Sequence, residues 1–73
     1  MPARDDLIAR KAEVQARIRS LRLRLEAAVY CAEAASGVRR KYYSAKRASL
    51  EAELEVLMAE ESRLRLEIDR AGR

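Results

Sequence analysis

Apolar residues recur at seven-residue intervals along the first half of the chain. Leucine, valine and alanine form one series, and a second series falls between its members with alternating spacings of four and three. The first series is Leu7, Val14, Leu21, Ala28 and Ala35; the second is Lys11, Ile18, Leu25 and Ala32. This spacing places one stripe along an α-helix and is typical of a coiled-coil seam.

The second half repeats the pattern in a different phase. Its two series are Tyr43, Leu50, Leu57, Leu64 and Ala71, and Arg47, Leu54, Glu61 and Ile68. Gly37 lies between the two halves, where the end of a helix favours a residue able to take positive φ, and Val38 could contact the last turn. We therefore predict an all-α protein, one antiparallel two-helix hairpin over residues 1–73, with helices at about 4–36 and 39–71 and a turn at Ser36–Val38.

Folding the chain back at Gly37 predicts a register for the two helices. The apolar pairs are Leu7 with Ile68, Ile18 with Leu57, Leu21 with Leu54, and Leu25 with Leu50. Opposite charges then face each other along the flanks: Arg10 with Glu67, Arg17 with Glu60, Arg24 with Glu53, and Arg22 with Glu51. A parallel dimer of the first helix would instead place Arg17 beside Arg22, so the charges favour the antiparallel hairpin.

Two seam positions carry charge. Lys11 and Glu61 fall in neighbouring layers of the predicted register. We expect them to form a polar pair that fixes the register, as polar residues within coiled-coil seams do, rather than a catalytic or ligand-binding pair.

One stripe on each helix buries too little apolar surface for a robust monomer of 73 residues. Residues 27–35 carry a single charge, so every side of that helical segment is apolar. A segment of this kind is normally buried, and we expect another chain to bury the sides that the second helix does not reach. All three tyrosines lie in the same half, and tyrosine is a common interface anchor. The expected partner-binding residues are Val29, Tyr30, Ala34, Val38, Tyr42 and Tyr43. We expect self-association or a protein partner that completes a bundle.

A further set of positions points away from the seam and contains no charge. These positions are Ala9, Ala16, Leu23, Tyr30, Val38, Ala45, Ala52, Ala59 and Leu66. These residues can be explained in two ways: as residues that favour the helix and remain exposed to solvent, or as a face that docks onto other helices in a larger assembly.

Positive charge is concentrated near the turn. The net charge is +4, yet residues 36–49 hold five bases and no acid. These bases are Arg39, Arg40, Lys41, Lys46 and Arg47. Such a tip suits an acidic protein surface, and with Tyr42 and Tyr43 interleaved it also suits phosphates and stacked bases of nucleic acid.

The sequence lacks several groups that enzymes commonly use. It has no histidine, no glycine-rich phosphate loop and a single cysteine, Cys31, so we expect no catalytic residues, cofactor, bound metal or small-molecule substrate. The longest uncharged stretch, residues 27–32, is far shorter than the roughly 20 residues needed to span a membrane. The first residues include two acids where a signal peptide needs bases, and a lone thiol suits a reducing compartment, so we expect a cytoplasmic protein.

The overall plan of a short helical hairpin with a central glycine resembles several unrelated families. The segment Leu21–Ala28, with Cys31 and Gly37, is loosely similar to the first half of the small cochaperones of type III secretion needle subunits. The plan also resembles the compact helical proteins that phages make to block host machinery. No motif assigns the chain to either family. We therefore predict a non-enzymatic protein-binding module of the adaptor, cochaperone or inhibitor type, with nucleic-acid binding as the alternative.

Overall fold

The protein is a helical hairpin in the computed structural model, which describes residues 3–72. Helix α1 spans Arg4–Ala34 and helix α2 spans Gly37–Ala71, and the two pack against each other. The hairpin measures 55 × 14 × 14 Å, so it is a rod two helices wide. Within the described range there is no strand. The predicted all-α hairpin is confirmed.

The turn lies slightly earlier than predicted. Helix α1 ends at Ala34, and Ala35 and Ser36 are extended, with φ/ψ of −99°/164° and −137°/162°. Gly37 has a φ of +63°, as expected, but it is the first residue of α2 and not the residue that follows the end of α1. Val38 is 85% exposed, so the expected contact with the last turn of α1 is absent. Two extended residues therefore reverse the chain, and Gly37 sets the direction in which α2 leaves.

The core is the predicted seam. The buried residues are Leu7, Val14, Ile18, Leu21 and Ala28 on α1, and Leu50, Leu57 and Leu64 on α2. Leu25, Leu54 and Ile68 pack against this cluster while remaining partly exposed. All of these side chains belong to the heptad series, so the apolar periodicity accounts for the whole of the described core.

This core stops well short of the turn. Between Ala28 and Leu50 no residue is buried. The seam positions in this interval before the turn are Ala32 and Ala35, and both are only half-buried, as is Tyr43 on α2. Alanine side chains are short and bury little apolar area, so this part of the seam adds little to the core. The turn third of the hairpin is therefore held by the continuity of the helices and has no packed core of its own.

The importance of the seam can be measured by truncating Leu57. Its side chain is 6% exposed, and Leu57→Ala should lower the free energy of unfolding by about 2–5 kcal/mol, the usual range for a buried leucine. Leu66→Ala is the matched control because Leu66 is 58% exposed on the same helix. Urea unfolding followed by far-UV circular dichroism, at one fixed protein concentration, should separate the two variants. Equal losses would contradict the assignment of the core.

The backbone conformation of Gly37 gives a second test. A Cβ atom there would meet no atom within 4 Å, so any loss in Gly37→Ala reflects backbone strain at a φ of +63°. That strain is worth about 1–2 kcal/mol for an L-residue. Ser36→Ala should change stability little, since the Ser36 side chain makes no capping hydrogen bond. Thermal unfolding of both variants checks this, and a neutral Gly37→Ala would argue against this turn geometry.

Candidate protein-interaction surface at the turn end

Two grooves flank the helices at the turn end of the core and beyond it. The first is lined by Tyr30, Cys31, Ala34, Ala35, Ser36, Arg39 and Tyr43. The second is lined by Arg24, Ala27, Ala28, Cys31, Tyr43 and Lys46. Cys31 and Tyr43 contribute to both. Every charged side chain in the two linings is basic, so the grooves combine small and aromatic surface with positive charge.

The expected partner-binding residues are only partly gathered in these grooves. Tyr30, Ala34 and Tyr43 line the first one together. Val38 and Tyr42 are 85% and 61% exposed and line neither groove, although the Tyr42 ring packs edge-to-face on Tyr43 with centroids 5.2 Å apart. Val29 is half-buried and also lies outside both linings. We refer to these six residues as the turn surface.

The apolar segment 27–35 is covered on one side only. Ala28 is its single buried residue, and Tyr30 is 73% exposed. A helical segment that is apolar all round is normally buried, and α2 can reach only the side that faces the seam. The surface left open is therefore contiguous with the grooves.

The basic tip is largely unneutralised. Among residues 3–72, Arg39, Arg40, Lys41 and Lys46 form no ion pair, and all four are exposed. Arg47 differs, because its Nε donates a 2.9 Å hydrogen bond to Oε1 of Glu51 one turn later. The tip therefore carries four unpaired cations, and not the five that the sequence indicates.

The position of two of these cations is unfavourable for the helix itself. Arg39 and Arg40 lie in the first turn of α2, which contains no acidic residue. The amino end of a helix carries partial positive charge, so bases there destabilise it and acids stabilise it. Helix α1 shows the favourable arrangement, with Asp5 and Asp6 in its first turn. The bases at the start of α2 therefore do not stabilise the helix that carries them.

The seam pair expected from the sequence is not formed. Glu61 Oε1 lies 2.9 Å from an Nη atom of Arg65, its neighbour one helical turn away on α2. Lys11 is half-buried and has no ion pair within the described residues. A partner four residues along the same helix is always within reach, whereas a partner across the seam depends on the register.

The flanking ion pairs also differ from the prediction. Arg10 binds Glu60, with Nε and Nη2 at 3.0 and 2.9 Å from Oε1, instead of Glu67. Hydrogen bonding to Glu60, followed by its charge, raises the pKa of Arg10 above its ordinary value. Arg10 and Glu60 lie at nearly equal distances along the helices from the turn at Ala35 and Ser36, which explains why they meet.

The remaining predicted pairs are replaced by local contacts or left open. Glu51 is taken by Arg47 and so is not available to Arg22. Arg17, Arg24 and Glu53 line one groove, but within the described residues none of them forms an ion pair.

Three further apolar side chains are exposed that the heptad pattern alone did not single out. Ile8, Val56 and Met58 are 44%, 66% and 45% exposed. Val56 is the informative one, because it extends the row of uncharged residues on the outer side of α2. Val56 lies one helical turn from both Ala52 and Ala59, and this spacing in the sequence indicates that it belongs to the same outer row.

Other kinds of site find no support in the described range. Residues 3–72 contain no group of three or more cysteine or acidic side chains placed to hold a metal ion. Neither helix has a stretch long and apolar enough to cross a membrane over the part described. Comparison with protein-family models, with curated proteins and with solved structures finds no match for this chain.

Proposed function

We propose that this chain is a non-enzymatic protein-binding module that associates through its turn surface, either with a second copy or with another protein. The observation that carries the proposal is the mismatch between apolar content and burial at the turn end. No residue from 29 to 49 is buried, although Tyr30, Val38 and Tyr42 all lie there with exposures of 73%, 85% and 61%. Apolar patches of this kind on small proteins mark interaction sites.

The chemistry of the surface indicates the kind of contact it makes. Tyrosine anchors bury large apolar area at small entropic cost, and the alanines beside them let another helix approach closely. The four unpaired cations would steer an acidic surface towards the tip and orient it there. A partner that presents a helix flanked by acidic residues satisfies both requirements.

This mode of action belongs to adaptors, cochaperones and inhibitors, which work by occupying a surface on their target. We place the protein in the cytoplasm, where its unpaired thiol at Cys31 would stay reduced. Cys31 then acts as a small packing residue beside Tyr43 in the two grooves.

Truncating the two exposed tyrosines tests the proposal. The double variant Tyr30→Ala, Tyr42→Ala should lose association, while its helicity is retained because neither side chain belongs to the core. Multi-angle light scattering over a range of protein concentrations measures the association. Leu66→Ala, which removes an exposed apolar side chain at the other end of α2, should leave the mass unchanged. An unchanged mass in the tyrosine variant would contradict the proposal.

Nucleic acid is the second candidate partner, because four cations without ion pairs lie beside Tyr42 and Tyr43. If the tip binds a single-stranded oligonucleotide, affinity should fall with salt, with a log-log slope of about −0.7 for each phosphate neutralised. Replacing Arg39 and Arg40 with glutamine should make that slope shallower, and Arg63→Gln at the far end should not. Fluorescence anisotropy at several salt concentrations measures both. Absence of binding at low salt would exclude this candidate.

A further inference from the structure

Helix α2 carries a second heptad stripe on the side facing away from α1. The spacing alternates between four and three, as in the hairpin seam, and no member is charged. The stripe consists of Val38, Tyr42, Ala45, Ser49, Ala52, Val56 and Ala59. Every one of these residues is exposed. We call this row the outer stripe.

The outer stripe has large side chains towards its two ends and small side chains in its middle. Val38, Tyr42 and Val56 project from it with exposures of 85%, 61% and 66%. Between them Ala45, Ser49 and Ala52 leave room for side chains of a facing helix. This arrangement of projections and gaps matches what a coiled-coil partner requires.

The charges beside the outer stripe change sign along the helix. Arg39 and Lys41 flank its amino-terminal end, and Glu53 and Glu55 flank its carboxy-terminal part. All four side chains are exposed, and within residues 3–72 none of them forms an ion pair. A helix with bases at one end and acids at the other is complementary to a copy of itself running in the opposite direction.

We propose that a second copy of this chain packs on the outer stripe, with the two α2 helices antiparallel about a two-fold axis. In this register Val38 of one copy meets Val56 of the other, Tyr42 meets Ala52, and Ala45 meets Ser49. The same register places Arg39 opposite Glu53 and Lys41 opposite Glu55, and symmetry makes each contact twice. The inference rests on the proposed function, because Val38 and Tyr42 belong to the turn surface, and it assigns them to self-association.

The charges disfavour the competing arrangements. Helix α1 has an uncharged outer row as well, but Arg17 and Arg24 flank it on one side, so pairing α1 with α1 would place arginine against arginine. The outer rows of α1 and α2 face in opposite directions, so pairing α1 of one copy with α2 of the next is a head-to-tail contact that leaves a free row on each copy for a further hairpin. Pairing α2 with α2 closes at two copies.

The contact is short, which limits its strength. From Val38 to Val56 the stripe extends about 27 Å at 1.5 Å per residue. Lys46 of each copy also approaches its equivalent near the two-fold axis, which opposes association. These two features predict a weak dimer that dissociates when the protein is diluted.

Reversing and then restoring the flanking charges tests the dimer. Lys41→Glu and Glu55→Lys should each place like charges together and weaken dimerisation roughly tenfold or more. The double variant Lys41→Glu, Glu55→Lys restores opposite charges at both contacts and should return to within roughly threefold of the unmodified chain. Sedimentation equilibrium gives the dissociation constants, and circular dichroism checks that all variants stay helical. Glu26→Lys, an acid exchanged on α1, is the control and should have no effect.

Single tyrosine variants separate this inference from the proposed function. Tyr42→Ala should weaken the dimer, and Tyr30→Ala should leave it unchanged, because Tyr30 lies on α1. Loss of the dimer in Tyr30→Ala, a monomer at every concentration, or a mass that keeps growing beyond two copies would overturn the α2 dimer. Loss of association only in the double variant Tyr30→Ala, Tyr42→Ala would retain the turn surface as an interface while rejecting this register.

Discussion

The structure depends on one line of apolar contacts that joins two helices over part of their length. Eight buried side chains form this seam, and Val14 at 0% exposure is the most enclosed. Beyond Ala28 on α1 and before Leu50 on α2 the seam has no buried member. No other side chain in the described range is buried. The extent of this line of contacts therefore determines which part of the hairpin is well packed and which part is exposed.

The seam could be predicted from the sequence because heptad spacing is a property of single helices. Leu50, Leu57 and Leu64 share one face of α2 whatever lies opposite, so burial followed once antiparallel packing was chosen. The turn was harder to place, since Ser36 and Gly37 both suit a chain reversal. Ala35 proved to be extended, and the helix ended two residues earlier than expected.

Ion pairs were poorly predicted, for a physical reason. Arginine and glutamate have several rotatable bonds, so each exposed side chain can reach more than one partner. The ion pairs it could form differ little in free energy. Glu51 and Glu61 both bind an arginine four residues away on their own helix, not the predicted residue across the seam. The basic tip is the exception to this pattern. Residues 36–49 contain no acid, so four of the bases have no carboxylate nearby with which to pair. This feature could be predicted from the sequence.

An uneven core also means uneven stability along the rod. Local opening of a helix is easiest where the fewest apolar contacts must be broken, and here that place is the turn end around Ala35 and Tyr43. The same end carries the exposed tyrosines and the cations that oppose the dipole of α2. A partner bound there would add the apolar contacts that the seam lacks and would offset the charge at the start of α2. Binding of the proposed partner at this end would therefore stabilise the fold, so that association and folding would be two parts of one equilibrium.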